Sequence, residues 1–140
     1  MNDIVINKIQ SIQRCVERAR QEYAFDPDGF GTNFSRQDAA LLNVLRACEQ
    51  AIDLANHIIK TQKMGVPTSS AESFDLLRQK LIIDMTLSEK LKKMVGFRNT
   101  VTHAYQRLDL SVAKAVIASG LDDLIRFGDR ILSFINGPPS

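Results

Sequence analysis

Residues 35–59 read SRQDAALLNVLRACEQAIDLANHII. Within them Leu41, Leu45, Cys48, Ile52, Ala55 and Ile59 recur at steps of three and four, the spacing that lines one face of an α-helix. A half-buried strand would alternate every second residue, and this stretch does not. The spacing predicts a long amphipathic helix. Ser35, with Asp38 three residues on, forms a variant capping box for its start, and Gly65 and Pro67 stop it near Met64.

The same period continues on both sides. Upstream, Val5, Ile9, Ile12, Val16, Ala19 and Tyr23 mark a first helix opened by Asn2 or Asp3 and ending near Tyr23. The stretch AFDPDGFGTNF, residues 24–34, carries Pro27, Gly29 and Gly31 and predicts a loop. Its Asp26, Asp28 and Gly31 begin like a calcium loop, but Phe30 stands where an oxygen ligand is needed and Gln37 where a bidentate glutamate belongs, so no calcium site is expected. Downstream, Ser69 with Glu72 predicts a capped helix carrying Phe74, Leu77, Leu81 and Ile82. Thr86 with Glu89 predicts another, on which Leu87, Leu91, Met94, Arg98, Val101 and Tyr105 follow in sequence. Asp109 caps a last helix with Val116, Ile117, Leu121, Leu124, Phe127, Ile131 and Phe134 as core candidates, interrupted by Gly120. The expected fold is all-α, an antiparallel bundle of four long helices plus a shorter fifth, with residues 1–136 as a single domain and 137–140 as a tail. Its stripes could also mate with a second copy.

Composition removes several classes of function. A chain of 140 residues with 44% hydrophobic content suits one well-formed core. A net charge of +2 gives no broad attraction for nucleic acid or an anionic membrane, so any RNA contact must be local. No apolar run is long enough to span a bilayer and the first residues lack the order of a secretory signal, so a cytoplasmic protein is expected. Cys15 and Cys48 fall on apolar stripes without a CxxC spacing, and buried reduced thiols are expected. His57 has no second ligand at a spacing that would complete a metal site, and reads as an ordinary helical histidine.

The chemistry concentrates in GFRNTVTHAY, residues 96–105. Arg98, Asn99, His103 and Tyr105 bring together a cationic fork, an amide, an imidazole and a phenol. On a regular helix Asn99 and His103 share a face, Arg98 and Tyr105 are nearly aligned, and Arg98 lies about 140° from His103. One straight helix therefore does not bring Arg98 and His103 onto one phosphate. Either Arg98 reaches around, the helix loosens before His103, or a second copy supplies its own pair across a twofold axis. Such a set suits metal-free cleavage of an RNA phosphodiester. Imidazole can take the 2′-hydroxyl proton or protonate the leaving oxygen, guanidinium can hold the growing charge, and Asn99 can orient the histidine or donate to a phosphate oxygen. The ordinary structural alternative pairs Arg98 with a carboxylate, sets His103 against the helix C-terminus and packs Tyr105 with a wet hydroxyl.

The run R98-N-T-V-T-H103-A-Y105 resembles the R-x(4)-H-x-Y motif of HEPN (higher eukaryote and prokaryote nucleotide-binding) domains, more narrowly that of the HepT toxins paired with minimal nucleotidyltransferase (MNT) antitoxins. Residues 35–59 resemble that family's second helix. The resemblance implies a homodimeric endoribonuclease without metal or cofactor, with Arg98, His103 and Asn99 as catalytic residues in a cleft between subunits. It further implies that an MNT-type nucleotidyltransferase antitoxin transfers AMP to Tyr105, setting a bulky anion where RNA phosphate would bind. The alternative it leaves open is a noncatalytic HEPN accessory domain that binds a nucleotide or a nucleotidyltransferase. No aromatic platform or basic stripe spells out which RNA is cut.

Overall fold

The computed structural model describes residues 3–137, all helical rods and loops without a strand among them. Helix α1 spans Asp3–Ala24, α2 Phe34–Thr61, α3 Ser70–Gln79 and α4 Met85–His103. A 3-10 turn, Tyr105–Arg107, leads to α5 (Leu110–Ala115), and a π-helical turn, Val116–Gly120, runs on into α6 (Leu121–Asn136). Because α5, the π turn and α6 are continuous, the described residues form five rods, as the apolar spacing predicts. Of the expected tail only Gly137 is described, and Asn2, one of the two expected openers of α1, lies outside the described residues.

Ion pairs fix the directions of the rods. Glu22 pairs with Arg36 while Lys8 pairs with Asp53, so residues rising along α1 meet residues falling along α2. Arg20 pairs with Asp122 and Ile9 packs on Gly128, which sets α6 antiparallel to α1 as well. Between these rods the core is almost wholly apolar. Val5, Ile9, Ile12, Val16 and Ala19 of α1 close on Leu41, Val44, Ala51, Ile52, Ala55 and Ile59 of α2, and Leu121, Leu124, Phe127 and Ile131 of α6 complete the seam. Phe127 meets Phe74 of α3 edge-on, with ring centroids 5.4 Å apart, a favoured aromatic geometry. Cys15 and Cys48 are buried free thiols.

Four boundaries differ from the sequence expectation, each for a local reason. Asn33, not Ser35, caps α2: its side chain accepts from the Arg36 amide, and Arg36 is held in turn by Glu22 and by the face of Phe25. The helix ends at Thr61 rather than Met64. Asp84, not Thr86, caps α4 by accepting from the Leu87 amide at 2.7 Å, because the linker from α3 is short enough to begin the helix one residue after Asp84. Ser69 caps α3 as expected, but that helix stops at Gln79 and Leu81 takes a left-handed φ of 62° that turns it outward, 85% exposed, while Ile82 and Ile83 turn inward. Phe134, placed in the core by spacing, is 38% exposed on the last turn of α6, beyond the rods that would cover it.

The loop before α2 is organised by Phe30. Its ring is buried against Tyr23, its carbonyl accepts from the Gln37 side-chain Nε2, and Asp26 accepts from the Gly29 backbone amide with a carboxylate oxygen. A Cβ at position 29 would lie 2.2 Å from an Asp26 carboxylate oxygen, so any larger residue there would push the Asp26 side chain off the Gly29 amide. Among the described residues no group of three or more His, Cys, Asp or Glu is placed to hold a metal ion. No described helix is long and apolar enough to cross a membrane.

Candidate active site

Helix α4 buries Leu87, Leu91, Met94, Val95, Phe97 and Val101 and carries the candidate residues on its other faces. It remains helical through His103, so loosening before that residue is not how Arg98 and His103 would meet. Arg98 turns inward. One terminal nitrogen pairs with Glu49 of α2 at 3.1 Å and the other donates to Ser70 of α3 at 3.2 Å, while its Nε is buried without an acceptor. Its side chain is 19% exposed. Asn99 and His103, four residues apart on an unbroken helix, are both exposed and share a face as the helical spacing requires. Arg98 points away from that face by about 140°.

Tyr105 is where the sequence expectation fails. Alignment with Arg98 assumes that α4 continues, but Ala104 closes the helix by donating to the Thr100 carbonyl and then takes φ −143° and ψ 41°. Tyr105 therefore sits in the 3-10 turn, and its hydroxyl donates to Asp38 in the early part of α2 at 2.5 Å. The contact spans 67 positions of sequence. Partial burial first, then the hydrogen bond from Tyr105 and the charge of Asp38, push the phenol up to about 12. At 43% exposure the ring remains open to water along much of its surface.

Glu49, Ser70 and Asp38 are the partners that spacing does not find. In the sequence Asp38 reads only as the capping-box partner of Ser35, and no spacing singles out Glu49 or Ser70. Only the packing of α2 and α3 on α4 brings them to Arg98 and Tyr105. A groove of about 520 Å³ between α4 and the α5–π segment is lined by Lys90, Lys93, Phe97 and Val112 among others and contains none of the four candidates. Its charged lining residues are Lys90, Lys93 and Asp123, whereas the motif residues lie apart from it at the exposed end of α4. His57 remains partly buried on α2, apart from this cluster.

Residues 12–131 match the family described as HepT-like, Ribonuclease HepT-like. The chain belongs to the HepT-like family. This HepT-like chain is 47% identical over 131 residues to a protein of Shewanella oneidensis named mRNA nuclease HepT, covering 94% of this chain and 98% of that protein. Its fold matches a solved structure of a tri-AMPylated Shewanella oneidensis HEPN toxin in complex with MNT antitoxin, with a TM-score of 0.90, 47% identity and coverage of 95% and 99% of the two chains. A toxin–antitoxin structure with AMP-PNP matches equally well, at TM-score 0.90 and 45% identity over 94% of this chain and 99% of that one. The HepT-like chain thus shares both its bundle and its extent with HEPN toxins.

Proposed function

We propose that this HepT-like chain is the ribonuclease toxin of a toxin–antitoxin pair, acting as a metal-independent endoribonuclease and silenced when an MNT-type nucleotidyltransferase transfers AMP to Tyr105. The observation that carries the reading is the near-complete match, in sequence and fold, to an mRNA nuclease and to an AMPylated toxin bound to its class of antitoxin. The local chemistry agrees. His103 is exposed and able to accept the 2′-hydroxyl proton of RNA as that oxygen attacks the adjacent phosphorus, or to return a proton to the departing 5′-oxygen. Arg98 supplies positive charge for the phosphorane-like transition state, and Asn99, beside His103, orients the phosphate.

With α4 straight through His103 and Arg98 held toward α2 and α3, one chain does not close both groups on one phosphate. A homodimer with the ends of two α4 helices facing one cleft resolves this, since Arg98 of one copy can face His103 of the other. In that cleft AMP on Tyr105, two residues past His103, adds volume and negative charge where the RNA backbone must enter. Sequestration of Arg98 by Glu49 and Ser70 favours a second reading, the noncatalytic accessory domain, in which Arg98 is structural.

One experiment separates them. Wild type, Arg98→Ala and His103→Ala are induced in cells lacking the antitoxin, and growth and RNA integrity are followed. Loss of an acid–base or charge-stabilising group lowers cleavage about 100-fold or more, so both variants are expected to leave RNA intact while wild type degrades it. RNA equally intact, or equally cut, in all three would reject the nuclease site.

A further inference from the structure

The Tyr105–Asp38 contact takes no part in the cleavage step proposed above, and it costs Asp38 its freedom at an exposed position where water would serve a carboxylate as well. The phenolic hydroxyl donates to Asp38 Oδ1, oxygen to oxygen 2.5 Å, and its oxygen has no other hydrogen-bond partner among the described residues. Asp38 itself is paired with no cation among the described residues, so its carboxylate is available to gain a proton. A hydroxyl that must attack phosphorus needs three things: a fixed direction, an accessible oxygen and an acceptor for its proton. All three are present here, supplied by the chain that is modified.

We infer that Asp38 is a catalytic residue of the AMP-transfer reaction, the proton acceptor that the toxin contributes for its own modification at Tyr105. The inference rests on Tyr105 being the acceptor, as proposed above. In the step, Tyr105 Oη attacks the α-phosphorus of ATP held by the nucleotidyltransferase. A phosphorus–oxygen bond to tyrosine forms, the bond from the α-phosphorus to the oxygen bridging to the β-phosphate breaks, and pyrophosphate leaves. The phenolic proton passes to Asp38 Oδ1 and on to water. A carboxylate in this position is a weak base toward a free phenol, but proton transfer completes late, as the oxygen loses electron density to phosphorus, which is how a carboxylate serves hydroxyl acceptors in phosphoryl transfer. Once modified, the tyrosine has no hydrogen to donate and its phosphodiester faces the Asp38 carboxylate with like charge, so the contact that held the 3-10 turn to α2 is lost and reversal is disfavoured.

The test uses the full chain, purified nucleotidyltransferase antitoxin and ATP labelled at the α-phosphate, with peptide mass spectrometry to place the label. In Asp38→Asn the side-chain oxygen still accepts a hydrogen bond, so Tyr105 stays oriented, but a proton can no longer be taken. The kcat for AMP transfer is expected to fall about 100-fold with KM for the toxin unchanged, and Asp38→Glu to recover much of it by keeping the carboxylate. A role confined to packing would instead leave Asp38→Asn normal or raise KM. Label on Tyr105 with wild-type or faster kcat in Asp38→Asn would overturn the role of Asp38 alone. Label on some other residue of the wild type would overturn the acceptor assignment and this role with it.

Discussion

The seam of α1, α2 and α6 and the last turn of α4 are built from the same helical geometry and obey different rules. Along the seam every inward position is apolar, and the rods run past one another for most of their lengths. At the end of α4, Val101 is the last buried residue, and the next turns carry Thr102, His103, Tyr105, Gln106 and Arg107 on the surface. What orders them is polar: Arg98 to Glu49 and Ser70, Tyr105 to Asp38. Apolar burial is additive and directionless, so the seam tolerates replacement by similar volumes. A site depends on where a few atoms point, and the bundle serves it by bringing α2 and α3 against α4.

The contrast breaks most visibly at Phe127. Fully buried and edge-on to Phe74, it is expected to cost about 3–5 kcal/mol of stability as Phe127→Ala. His103→Ala, exposed and outside the seam, is expected to shift the unfolding midpoint hardly at all while abolishing cleavage. Urea unfolding of the two variants side by side checks this. Comparable destabilisation by both would mean that the end of α4 is part of the core.

A smaller effect probes the join between the regions. Asp84 caps α4 and so fixes the register in which the helix delivers Arg98 and His103. Asp84→Ala is expected to cost about 1 kcal/mol, and Thr86→Ala close to nothing, since Thr86 already lies inside the helix. Thermal unfolding of both variants reads the difference. The reverse ranking would return the cap to Thr86 and shift the start of α4.

The seam was legible because its signal repeats. Val5 through Ala19, Leu41 through Ile59 and Leu121 through Ile131 announce their faces several times over, and an error at one residue changes nothing. The helix ends were legible in part: Ser69 and Asp109 cap as their sequence suggests, whereas Asn33 displaced Ser35 and Asp84 displaced Thr86. The four candidate residues could be named from their chemistry, but their partners could not. No glycine or proline follows His103 to warn that the helix stops, so the seven-residue alignment of Arg98 with Tyr105 was sound arithmetic applied past the end of the helix. Asp38 meets Tyr105 through the tertiary fold, and no local period encodes a contact of that range.

An effect silent at neutral pH lies where the two regions touch, at Cys48. It is a seam residue on α2 whose neighbour in sequence, Glu49, holds Arg98. Burial pushes its thiol up from 9.0 to about 12, against the opposing pull of the Arg98 guanidinium and with a smaller push from Glu49, so burial wins over the charge of the site. The sign of the consequence follows from the folded value lying above the unfolded one. Keeping the thiol protonated contributes its full stability below pH 9 and loses it as pH rises from 9 through 12, because the unfolded chain ionises first. Other groups also titrate in that range, so the informative quantity is the difference between wild type and Cys48→Ala, measured by urea unfolding across it. The two stability curves are expected to run parallel below pH 9 and then to converge or cross as wild type alone pays for its buried thiol. Curves that stay parallel throughout would mean that the thiolate is accommodated, and that the field of Arg98 reaches into the seam strongly enough to offset burial.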